Sequence, residues 1–196
     1  MIISAILAFI VDDFILPNFI RPGDTAALAK DIKANEILFS TAAVVYLIIL
    51  FCDVSIALGL YVIFTPVNKN LAMFIAVLRL LYVIFAVIGI LALILQFIDV
   101  YSYETIKLIG YIFFACHLFV TGYSVFKSSY IPRIFGIFLI IASFCYITFY
   151  VNFPGRLLLI IMLCMALGEM SLDIWLLLKS AKISKMIKEK MNISEE

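Results

Sequence analysis

The chain has 196 residues, of which 66% are hydrophobic and only 14% charged, with a formal net charge of +1 and a mean hydropathy of +1.23. A soluble domain of this length has too little interior to hide so much apolar surface, and a near-neutral chain lacks the basic footprint of a nucleic-acid binder. Apolar stretches of about twenty residues recur instead, which is the length that crosses a bilayer.

Six helices are expected, giving an all-α polytopic membrane bundle over residues 1–180 and a basic tail over 181–196. The first helix runs from about Ile2 to Ile20 and is interrupted by Asp12 and Asp13, with Pro17 near its exit. Met1–Val11 has no basic flank and no small-residue cleavage pattern, so it reads as the first half of a retained span rather than a signal peptide. Pro22–Glu36 follows as the longest loop. Asp24 there is a good helix N-cap, with Leu28 and Ile32 on one face, so a short interfacial helix is expected.

The second helix spans about Asn35–Thr65 and ends at the turn Pro66–Asn70, which cannot continue it. The third runs from about Leu71 to Ile98 and the fourth from about Thr105 to Phe126. The fifth begins after Ser128-Ser129-Tyr130 with Pro132 in its first turn, where a missing N–H is harmless, and ends near Tyr150. The sixth spans about Leu157–Leu178, and the lysine-rich tail extends it along the membrane surface, against anionic lipid or simply as a solvated topology signal.

Loop charge sets the orientation. Eight Lys/Arg fall on the tail's side against five on the other, with Arg79 inside the membrane. Both termini are therefore expected in the cytoplasm of a cell-membrane protein.

Four charged or titratable groups lie deep in four different spans: Asp53, Arg79, His117 and Glu169. One ionised side chain at a helix centre costs roughly 2.5–3.5 kcal/mol on insertion scales. Four at similar depth are tolerable only if they meet. Asp53 precedes Val67 by fourteen residues and Arg79 follows it by twelve, so an antiparallel hairpin brings the two to one level. They form either a register-fixing ion pair or, through the planar guanidinium, a site for a carboxylate or phosphate. Glu169 and Asp173 are one helical turn apart and form either a proton or cation path, or a set of interhelical hydrogen bonds. His117 is the sole histidine and suits an interhelical hydrogen bond better than a metal. Asp12 and Asp13, being adjacent, point about 100° apart, so at most one faces the bundle centre.

No Gly-rich phosphate loop, nucleophile elbow or credible catalytic triad is present, and neither a cofactor nor a metal is expected. Cys52, Cys116, Cys145 and Cys164 read as small buried hydrophobes. Gly59, Gly89, Gly110, Gly122 and Gly136 read as helix close-packing positions.

Several stretches resemble a prokaryotic multi-pass membrane family, domain of unknown function 4386. They are Pro22–Ala27; Cys52-Asp53 with Leu60-Tyr61; Pro66–Ala72 with Arg79-Leu80; His117; Gly122-Tyr123; Pro132–Gly136; and Gly168-Glu169. The resemblance implies a membrane bundle of unassigned activity, with Asp53, Arg79, His117 and Glu169 at family-pattern positions. The preferred expectation from the residues is binding or translocation of a small polar solute or ion in the bilayer, at the charged cluster Asp53, Arg79, His117, Glu169 and Asp173. The rivals are an intramembrane enzyme acting on a lipid or isoprenoid, with Glu169 or His117 as acid or base, and a structural or regulatory subunit.

Overall fold

The computed structural model describes residues 34–95, 100–148 and 155–193, together with Leu7 and Val11. All regular structure among them is helical: α1 (Glu36–Phe64), α2 (Lys69–Ile94), α3 (Val100–Lys127), α4 (Arg133–Thr148) and α5 (Gly155–Ile193). Five helices are thus described rather than the expected six. The expected first helix, with Asp12 and Asp13, lies outside the described residues, as does most of the Pro22–Glu36 loop.

Four helices are long and apolar enough to cross a membrane: α1, α2, Ser102–Lys127 of α3 and Gly155–Lys179 of α5. The protein is a membrane protein on that ground. The fifth, α4, has 16 residues and extends about 24 Å at 1.5 Å per residue. Consecutive helices make the principal contacts, so the chain goes up and down with neighbours in sequence also neighbours in space.

The turns follow from local chemistry. Thr65 closes α1 with its N–H on the Tyr61 carbonyl. The Asn68 side chain then caps α2 by accepting from the Leu71 N–H at 3.0 Å, which starts that helix two residues earlier than expected. Between α3 and α4, Ser128 Oγ accepts from the Tyr130 and Ile131 N–H groups. Pro132, just ahead of α4, supplies the carbonyl that takes the Phe135 N–H. The largest boundary difference is at the start of α3, whereas α5 continues into the tail as expected. α3 begins at Val100 because Tyr103, in a stretch that looks polar, is buried against Gly89. α5 is one continuous helix through the basic tail to Ile193.

Two apolar clusters stack along the bundle. One joins Ile56, Leu60, Ile75, Phe114, Leu118, Leu139, Ala142 and Leu172 across all five helices. The other joins Phe39, Tyr46, Leu50, Val83, Ile90 and Tyr103 of α1, α2 and α3, with Val11 of the N-terminal region. Outward-facing residues are apolar too: Ile37 is 85% exposed, Phe51 74% and Leu178 75%. Such a surface is stable against lipid tails and not against water.

Small residues set the helix spacing at two crossings. A Cβ on Gly122 would lie 2.8 Å from the Gly136 carbonyl, and one on Gly136 equally close to the Gly122 carbonyl, so α3 and α4 meet backbone to backbone. A Cβ on Gly168 would overlap that of Ala142 and lie 2.9 Å from the Phe138 carbonyl, which fixes α4 against α5. Gly59 faces open space and is not a packing position. The cysteines also depart from expectation. Cys52 and Cys116 are exposed, Cys145 and Cys164 are half-buried, and all are free thiols. A small, weakly polar thiol is compatible with a lipid-facing position as well as with a core.

Candidate functional site

The charged layer lies where the two apolar clusters meet. Asp53 sits on α1 between Leu50 of one cluster and Ile56 of the other, and Arg79 on α2 between Ile75 and Val83. Both side chains are buried. Arg79 Nη2 donates to Asp53 Oδ1 at 2.5 Å, so the expected cross-hairpin ion pair is formed. Counting residues outward from the turn was enough to predict it, because antiparallel neighbours at equal offsets share a depth.

His117 on α3 completes this group and is 1% exposed. Its Nδ1 lies 2.9 Å from the Ile75 carbonyl, an acceptor with no proton to give, so Nδ1 carries the hydrogen. Nε2 is then the acceptor for Arg79 Nη1 at 3.2 Å. Both ring nitrogens are thus used by the fold. The arginine has one hydrogen bond to an anion, one to a neutral ring, and the Phe114 face 5.2 Å from its Cζ. Its Nε is buried without a hydrogen-bond partner among the described residues.

Glu169 on α5 does not touch this group. Its Oε1 accepts a short hydrogen bond from the Tyr146 hydroxyl of α4. The Gly168–Ala142 crossing places the two side chains opposite each other, since each lies within about one turn of the contact. Aromatic rings fill the space towards Arg79. Tyr146 packs edge-on against Phe114 and Tyr111, with ring centres 5.0 and 5.6 Å away. Phe114 contacts Tyr82 at 4.8 Å and the His117 ring at 5.7 Å. Glu169 is nevertheless within electrostatic reach of Arg79. Asp173, one turn further along α5, is buried, makes no hydrogen bond among the described residues and is also within reach of Arg79.

The structure therefore brings Asp53, Arg79 and His117 into direct contact, with Glu169 and Asp173 beside them across an aromatic wall. Charge counting found the five charged or titratable groups but missed Tyr146, Phe114 and the Ile75 carbonyl. Tyr146 was accessible to the same reasoning: it is a hydroxyl thirteen residues inside α4 from Arg133, a depth close to that of Glu169 from Lys179. Among the described residues, no three His, Cys, Asp or Glu side chains are grouped to hold a metal ion.

The chain matches the family described as domain of unknown function DUF4386 over residues 1–97 and 92–180. It belongs to that family. A relative from Archaeoglobus fulgidus, described as an uncharacterized protein, is 36% identical over 141 residues, covering 71% of this chain and 84% of the relative. No solved structure matches the chain. The family membership covers the stretches that carry Asp53, Arg79, His117 and Glu169 and assigns a role to none of them.

Proposed function

We propose that this family member binds a small cation, in the simplest case a proton, at Glu169 and Asp173, and that this occupancy serves transfer of a small polar solute or ion across the cell membrane. The supporting observation is a charge imbalance. Among the described residues, the middle of the bundle holds the buried carboxylates Asp53 and Asp173 and the half-buried Glu169 beside one permanent cation, Arg79. Asp53 takes the arginine. The other two carboxylates face each other's field in a low-dielectric interior, where unpaired charge is costly. A proton or another cation neutralises them. Tyr146 serves either state, because its oxygen can accept from a protonated Glu169 as well as donate to an ionised one.

The topology that accompanies this reading has six spans with both ends cytoplasmic. Leu7 has helical backbone, and Val11 is buried among residues of α1, α2 and α3, as an added N-terminal span requires. The lysine-rich end of α5 favours the cytoplasmic side. Cysteine labelling near Lys30 and Lys185 from opposite sides of the membrane supports this topology; labelling of both from one side contradicts it.

A structural role is the second reading for part of the site. Asp53, Arg79, His117 and the Ile75 carbonyl form a closed chain joining α1, α2 and α3, which suits a register clamp better than a ligand site. The assignment to Glu169 and Asp173 is tested in liposomes under a potassium diffusion potential, with an internal pH dye. The wild type should carry protons faster than empty vesicles, and Glu169→Gln should reduce that flux at least about tenfold, the scale expected when a proton-carrying group is lost. Wild-type flux equal to that of empty vesicles, or full flux in Glu169→Gln, contradicts proton transfer through this site.

A further inference from the structure

The two ends of the bundle differ in charge. At one end lie the α1–α2 turn, the α3–α4 loop and the outgoing half of α5. Their described, exposed charges are Lys69, Lys127, Arg133 and Lys179, all positive. Beyond Lys179 the same helix carries Lys182, Lys185, Lys188 and Lys190 against a single Glu189. At the other end the described helices carry Glu36, Glu104, Lys107 and Arg156, two of each sign.

The basic end is also a built platform. The Tyr130 hydroxyl of the α3–α4 loop donates to the Ile63 carbonyl of α1. Val67, Tyr130 and Phe135 pack on one apolar cluster, so the starts of α2 and α4 are held together. Lys69 and Arg133 are the first residues of those two helices. A helix dipole disfavours a cation there, and its positive end adds to the local potential. Lys127 lies with its Nζ 4.8 Å from the Tyr123 ring centre, at the level where an apolar span gives way to polar surroundings. The cations therefore repel one another and two helix dipoles as well, which an anion at the same level would reverse.

We propose that this rim binds anionic phospholipid headgroups, whose phosphates lie at the depth of the helix ends. The surface is independent of the carboxylate site and stands whether or not protons move there. Lipid is favoured over a free anion because the basic groups sit at the ends of apolar spans whose exposed hydrophobic side chains suit acyl chains.

The test is native mass spectrometry of the full-length protein in neutral detergent, titrated with phosphatidylglycerol or phosphatidylcholine. Phosphatidylglycerol should bind more tightly. A triple variant, Lys69→Gln, Arg133→Gln and Lys179→Gln, should weaken it roughly a hundredfold at low salt while leaving phosphatidylcholine unchanged. If the variant does not fold, salt serves instead: about 0.5 M salt should erase the wild-type preference, because exposed charges are screened within a few ångströms. Equal binding of the two lipids overturns the proposal. So does an unchanged preference in the folded variant or in high salt, or protection from heat by inorganic phosphate alone equal to that by the anionic lipid.

Discussion

The α1–α2–α3 side of the bundle centre and the α4–α5 side hold similar residue types in different electrical states. On the first side, Asp53, Arg79 and His117 form a chain in which the one cation has an anion 2.5 Å away and a neutral acceptor at 3.2 Å. On the second, among the described residues, Glu169 has one hydrogen bond, from a tyrosine hydroxyl, Asp173 has none, and both feel Arg79 only at a distance. A buried pair can be removed as a pair with little loss, whereas a buried lone charge must find a proton or an ion. The first side has its charges matched in direct contact; the second has carboxylates without a cation in direct contact among the described residues, which is what the proposed cation uptake rests on.

The largest expected effect comes from breaking the paired side. Arg79→Met leaves Asp53 buried alone and should cost roughly 3–5 kcal/mol in unfolding experiments in micelles. Adding Asp53→Leu should restore much of that loss, because the stranded charge is gone. Additive losses in the double-mutant cycle would mean that the two residues are not coupled, and the contrast between the two sides would lose its basis.

A smaller effect probes the scaffold of the unpaired side. Gly168→Ala places a methyl group against Ala142 and the Phe138 carbonyl. Such overpacking should cost roughly 1–3 kcal/mol and separate Tyr146 from Glu169. Gly59→Ala is the control. Its methyl meets open space, so removing a mid-helix glycine should stabilise by up to about 1 kcal/mol. Equal responses at the two glycines would show that the α4–α5 crossing does not hold the site.

The sequence made the charged residues legible because the membrane makes charge conspicuous. Asp53 and Arg79 could be paired by counting from one turn, and the register of a short antiparallel hairpin leaves little freedom. The position of Glu169 relative to them depends on how α3, α4 and α5 pack, and that is set by Gly122 against Gly136 and Gly168 against Ala142. Gly122 and Gly136 were recognisable as close-packing positions. Their partners were not, since in nearly uniform apolar helices no periodic polar face marks which side turns inward. The same uniformity made Gly59 look like a packing residue and hid the outward-facing Cys52 and Cys116. The start of α3 was missed because Tyr103 and Glu104 resemble a loop until Tyr103 is seen packed on Gly89.

The smallest effect lies at the tie between the two basic turns. Burial pushes the Tyr130 hydroxyl up to about 12, partly offset by its hydrogen bond with Ser128. A free tyrosine titrates near about 10. The folded state therefore favours the neutral form, and this stabilisation is complete below about pH 10 and is lost as pH rises through about 12. Tyr130→Phe should cost roughly 1 kcal/mol at neutral pH and lessen the loss of stability between about pH 10 and 12. An unchanged alkaline profile would show that the Tyr130 hydroxyl is not desolvated in the folded loop.

On the proposed function Glu169 and Asp173 exchange a proton, and the Asp53–Arg79–His117 group does not. Infrared difference spectroscopy of the reconstituted protein across a pH titration reads carboxyl protonation directly. The expected result is a protonated-carboxyl band that changes with pH, loses its Glu169 component in Glu169→Gln, and persists in the Arg79→Met, Asp53→Leu double variant. A band unchanged by Glu169→Gln, or one abolished by removing the Asp53–Arg79 pair, would contradict it.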